Sequence, residues 1–102
     1  MSISVTLQNF DSEVIQSSQK VLVDFWAPWC GPCTMLSPVI DEISLELGDQ
    51  VKIVKINVDE NQELANKYNI SSIPAVLIFD KGQVKDSLIG FRQKQEYLNA
   101  LK

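Results

Sequence analysis

The chain has 102 residues, 45% of them hydrophobic and 22% charged, with a formal net charge of -4 and no histidine. That length supports one packed core and not two, and the composition excludes disordered and collagen-like chains. Lysine and arginine are scattered singly, so nothing resembles the basic stripe that nucleic-acid phosphates or an anionic bilayer require, and neither kind of partner is expected.

Residues 1–20 lack a basic run followed by an apolar stretch of signal-peptide length, and no apolar segment reaches membrane-spanning length. A soluble, non-secreted chain forming a single domain over residues 1–102 is expected. Met1 argues mildly against a processed organelle form, and a cytoplasmic location is the expectation, with an organelle stroma or matrix as the alternative. No apolar stripe suggests oligomer contacts, so a monomer is expected.

Residues 3–6 are a short β-prone start, and Asn9 is placed to cap a helix whose Phe10, Val14 and Ile15 have helical spacing. This opening unit reads as peripheral. Residues 20–27 form a continuous apolar run broken only by Asp24, the pattern of a central strand covered on both faces. Met35, Leu36, Val39, Ile40, Ile43 and Leu47 then recur at helical spacing up to Gly48, a C-terminal stop. Pro38 lies within this helix, where its missing donor and its ring predict a bend.

Residues 51–58 read as a second β-branched strand, 60–68 as a short polar helix and 69–74 as a loop. Residues 75–79 and 84–89 are predicted strands joined by a tight turn around Lys81-Gly82, and 93–101 a closing helix. The order predicts an α/β fold: a central mixed β-sheet, parallel in its early part and antiparallel at the hairpin, flanked by helices on both faces.

Cys30 and Cys33 flank Gly31-Pro32 where the buried strand gives way to the long helix, and proline is tolerated in a first helical turn. Residues three apart on a helix share a face, with Cβ atoms about 5–6 Å apart, so a disulfide needs only slight adjustment. Cys30, at the helix start, sees unpaired amides and the positive end of the helix dipole, which favour its thiolate. It is the candidate nucleophile. Cys33, a turn inside, suits the resolving role. A closed zinc site lacks ligands, because the chain has no histidine and no third cysteine; a metal shared across a dimer and a pair of inert buried thiols are the other readings.

Asp24, a lone carboxylate in an apolar strand, must be paired, hydrogen-bonded or neutral, and desolvation should raise its pKa. A carboxylate capping backbone amides is the competing reading. From the residues alone, Lys55 reads as a solvated strand lysine, Trp26 as a core aromatic, Ile73 as core packing and Gly90 as a strand-end turn.

WCGPC, preceded by Val-Asp-Phe-Trp-Ala and followed by Pro38, Ile73-Pro74 and Gly90 in order, closely resembles the thioredoxin family over nearly the whole chain. The resemblance implies the thioredoxin fold, a cis peptide before Pro74 packed against the cysteines, and no bound cofactor or metal beyond the Cys30-Cys33 pair. It implies that Trp29, Ile73, Pro74 and Gly90, with Gly31 and Pro32, border a shallow apolar surface for an extended substrate segment, with Trp26 as a site neighbour. It also places Asp24 behind Cys33 as general base, with Lys55 nearby favouring the ionised carboxylate.

The implied activity is that of a general protein-disulfide reductant, serving cell redox homeostasis. In it Cys30 attacks a substrate disulfide, Cys33 resolves the mixed disulfide, and a thioredoxin reductase restores the dithiol with electrons drawn from NADPH or ferredoxin. Oxidising and isomerising relatives typically carry His where this chain has Pro32, so reduction is the expected direction. Thr34, Ser71, Ser72 and Ala75 depart from common family residues and could alter partner contacts.

Overall fold

The structure, a computed structural model, describes residues 2–102; Met1 lies outside them. Strand β1 (Ser2–Ser4) leads to a single wide π-helical turn (Asp11–Ile15), then β2 (Lys20–Trp26) and α1 (Gly31–Leu47). A 3-10 turn (Gly48–Gln50) precedes β3 (Val51–Asn57), α2 (Gln62–Lys67), β4 (Ala75–Asp80), β5 (Gln83–Ile89) and α3 (Lys94–Ala100). The strands form one sheet in the order β1-β3-β2-β4-β5. β3 runs parallel to β1 and β2, while β4 is antiparallel to β2 and β5. The fold is thus the mixed-sheet α/β fold expected.

The alternation of side chains along β2 separates two cores. Val21, Val23 and Phe25 pack with Val54, Ile56, Leu77 and Phe79 on the face that takes Leu64 of α2. Leu22 packs on the other face with Ile53, Val76 and Ile78, under Leu36, Ile40 and Ile43 of α1 and Tyr97 of α3. Asp24 follows Leu22 by two residues and shares that second face. β2 is the middle strand, which explains its unbroken apolar run.

Two early expectations need correction. Asn9 does not cap the first helical turn: its Oδ1 accepts from the Thr6 amide at 2.7 Å. Its short side chain satisfies the preceding turn instead, an alternative that asparagine readily takes. Nor is the opening unit peripheral, because Val5, Phe10 and Val14 are buried and the Phe10 ring meets Tyr68 and Phe79 at centroid distances of 5.6 and 5.9 Å. The segment is also tied down by the buried Asn61, which accepts from the Leu7 amide at 3.0 Å and donates to the Asn57 carbonyl at 3.0 Å.

Helix α1 ends at Gly48, whose φ of +51° suits a residue without a Cβ. Pro38 lies within the helix. The hairpin turn carries Lys81 and Gly82, both at positive φ.

Candidate active site

Cys30 is the N-cap of α1 and is extended in backbone, while Gly31 and Pro32 form the first helical turn. The two cysteines are joined as a disulfide with their Cα atoms 5.3 Å apart, within the ordinary range for such a bridge. The Cys33 amide donates to Cys30 Sγ at 3.2 Å. One of the unpaired donors at the helix start is therefore aimed at the outer sulfur, a local field that favours a thiolate there.

Residue burial does not separate the two cysteines, since each is 5% exposed. Their surroundings do. Cys30 Sγ lies 3.8 Å from the Ile73 carbonyl oxygen, on the side of the cis Ile73-Pro74 peptide. Cys33 instead lines a pocket of about 210 Å³, open to solvent, with Asp24, Trp26, Thr34, Ser37 and Lys55. This difference of neighbours, and not burial, sets the two sulfurs apart.

Asp24 is buried, and its Oδ1 makes no hydrogen bond, so it does not cap backbone amides through that atom. Burial raises its pKa from 3.8 to about 6, against the opposing pull of the Lys55 charge. Lys55 is its register partner on β3, and the Lys55 ammonium donates to Ser37 Oγ at 2.8 Å. Trp26, half-buried, packs against Ala27, Cys30 and Cys33, with its indole N–H buried and unpartnered.

The outer rim is built differently. Trp29 is 70% exposed, and its indole N–H donates to Asp59 Oδ2 at 2.8 Å. Gly31 and Pro32 are exposed beside it, Ile73 is half-buried, and Pro74 is buried. Gly90 has φ +84° and donates its amide to the Pro74 carbonyl at 2.8 Å. A Cβ there would meet nothing within 4 Å, so backbone geometry and not crowding favours glycine. Thr34 bonds the Cys30 carbonyl through its hydroxyl at 3.3 Å, Ser71 and Ser72 are exposed, and Ala75 is buried in the sheet.

Sequence reasoning missed Ser37, Asp59 and Tyr97. Ser37 lies four residues beyond Cys33 and so on its helix face, a spacing that pointed to it. The Trp29–Asp59 pair spans 30 residues and left no local signal. Tyr97 reaches the Gly90 turn through its hydroxyl, 3.4 Å from the Gly90 carbonyl.

A cysteine pair held at disulfide-forming distance at a strand-to-helix junction can take up and return two electrons and two protons. Carried on this mixed sheet, that capacity makes the chain a thiol–disulfide oxidoreductase. The thioredoxin family model matches residues 1–102. The chain is 50% identical over 99 residues to a thioredoxin of Rickettsia felis, covering 97% of this chain and 94% of the relative. It is 52% identical over 98 residues to thioredoxin 1 of Synechococcus elongatus (96% and 92%) and 50% identical over 93 residues to a thioredoxin of Bacillus subtilis (91% and 88%). The chain belongs to the thioredoxin family.

Membership implies disulfide-containing substrates and exchange of electrons with a reductase in general terms, and a redox-active cysteine pair in place of a bound cofactor. Among the described residues, no cluster of three or more His, Cys, Asp or Glu side chains could hold a metal ion. No helix among them is long and apolar enough to cross a membrane.

Proposed function

We propose that the chain is a single-domain, monomeric, cytoplasmic reductant of protein disulfides, recharged by a thioredoxin reductase with electrons from NADPH or ferredoxin, and that it serves redox homeostasis. The Cys30 thiolate attacks one sulfur of a substrate disulfide, forming the mixed disulfide and expelling the other sulfur as a thiolate. Cys33 then gives up its proton to Asp24 and attacks Cys30 Sγ. The Cys30–Cys33 disulfide forms and the second substrate thiolate leaves, so the substrate gains the two electrons that the pair loses. Lys55 helps keep Asp24 ionised when the proton is to be taken.

Trp29, Gly31, Pro32, Ile73, Pro74 and Gly90 border the substrate segment in this reading, with Trp26 backing the cysteines. Pro32 supplies no charge to stabilise the reduced form, which favours reduction over oxidation or isomerisation.

The observation that carries the assignment of roles is the asymmetry around the disulfide: an amide and the Ile73 carbonyl edge at Cys30, the pocket with Asp24 at Cys33. The test is to pair Cys33→Ser and Cys30→Ser with measurement of the reduction potential. Cys33→Ser should accumulate a mixed disulfide with an oxidised protein substrate, and Cys30→Ser should not. Trapping through Cys33 instead would reverse the roles, and a potential near those of isomerases would make oxidation or isomerisation the better reading.

A further inference from the structure

The turn between β5 and α3 is held from beneath by a side chain for which the redox chemistry has no use. Tyr97 is fully buried and packs on the sheet face that carries Asp24. Its phenolic oxygen accepts from the Arg92 amide at 3.2 Å and donates to the Gly90 carbonyl at 3.4 Å. Gly90 in turn donates to the Pro74 carbonyl at 2.8 Å, and the carbonyl of the neighbouring Ile73 lies 3.8 Å from Cys30 Sγ. A continuous run of backbone contacts thus joins the Tyr97 hydroxyl to the sulfur at the helix start.

A leucine or phenylalanine would fill the same apolar space, so packing does not account for the hydroxyl. Both of its hydrogen bonds go to one turn, and burial pushes the phenol pKa up, so it keeps its proton across the neutral range and remains a donor. Within the turn the Arg92 Nε ties back to the Ile89 carbonyl at 3.1 Å, a solvent-exposed contact that leaves the Gly90 carbonyl and the Arg92 amide to Tyr97. Gly90 sits at φ +84°, with open space where a Cβ would stand, and its neighbours Ile89 and Phe91 are 44% and 45% exposed. The ion pair of Arg92 with Glu96 at 3.0 Å lies at the surface, where such pairs contribute little.

We propose that Tyr97 is a positioning residue for protein substrates: its buried hydroxyl fixes the backbone at Gly90 and Arg92 so that the Gly90 edge stays aligned with Pro74 beside the cysteines. The proposal rests on the reading above that an extended substrate segment lies along Pro74 and Gly90. A small disulfide needs only the sulfurs and is indifferent to that alignment.

The test compares wild type, Tyr97→Phe and Cys30→Ser in two assays: reduction of insulin with dithiothreitol as electron source, above the rate with dithiothreitol alone, and single-turnover reduction of dithiobis(nitrobenzoate) by the pre-reduced protein freed of dithiothreitol. Loss of one net hydrogen bond should raise KM for insulin about three- to tenfold. The kcat for insulin and the rate with the small disulfide should be unchanged, and amide exchange at Arg92 should quicken. Should the phenylalanine variant fail to fold, Tyr97→Leu replaces it. An unchanged KM, or a parallel loss on both substrates, overturns the proposal. If Cys30→Ser still reduces insulin, the underlying reading fails, whatever Tyr97→Phe does.

Discussion

Asp24 and Lys55 are register partners on adjacent parallel strands, yet the Lys55 ammonium bonds Ser37 Oγ at 2.8 Å. The carboxylate therefore feels the lysine as a neighbouring charge. Burial outweighs that charge and leaves the pKa at about 6, within the range useful to a group that takes and returns a proton near neutrality.

Replacing Asp24 with Asn should stabilise the protein in a pH-dependent way. Below pH 3.8 the carboxyl is protonated in both folded and unfolded chains. Between 3.8 and about 6 the unfolded chain releases a proton that the folded chain keeps, so stability falls as pH rises through that window. Above it the full cost of burying the charge persists, about 3 kcal/mol from the size of the shift. Asp24→Asn should therefore be more stable than wild type by up to about this amount near pH 7 and equal to it below pH 4. Urea denaturation at the two pH values checks this. Resolution by Cys33 should slow in the same variant.

Lys55→Met removes the one influence that lowers the Asp24 pKa. The Asp24 titration, followed through its carboxyl carbon by NMR, should move above about 6. A midpoint that stays put or falls would show that the lysine charge does not reach the carboxylate.

Gly90→Ala places a Cβ on a left-handed backbone without any steric clash. The expected cost is about 1–2 kcal/mol of stability, from backbone strain alone. The midpoint of urea unfolding should drop with an unchanged slope.

Phe10→Ala tests how firmly the opening segment belongs to the core. Phe10 is 4% exposed and meets Tyr68 at a tilt and Phe79 edge to face, so truncation should cost about 3–5 kcal/mol. A loss below 1 kcal/mol would mean that the segment packs only loosely.

Much of this architecture was legible in the residues because its signals are local. The apolar run around Asp24, the helical spacing from Met35 to Leu47 and the Lys81-Gly82 turn each follow from the period and chemistry of neighbouring residues. The pentad WCGPC marked the redox pair and its place at a helix start. The antiparallel seating of β4 against β2 brings Pro74 and Gly90 toward the cysteines through contacts distant in sequence, so the family pattern and not the spacing pointed to them. Phe10 escaped notice as core because its partners lie 58 and 69 residues away, and Asn9 escaped because an asparagine can satisfy either of two flanking turns. Tyr97 falls within the predicted closing helix, and nothing near it in the chain announces a bond to Gly90.

The chain has two tryptophans, and both belong to the site: Trp26 packs on the cysteine pair, and Trp29, adjoining Cys30, is fixed outward by Asp59. Nearly all the near-ultraviolet emission of the protein thus arises within reach of one disulfide, a group that quenches excited indoles by accepting an electron. Opening the bridge removes the quencher from both rings at once. Reduction is therefore expected to raise the tryptophan emission of the unlabelled protein, and fluorescence followed during titration with dithiothreitol checks this.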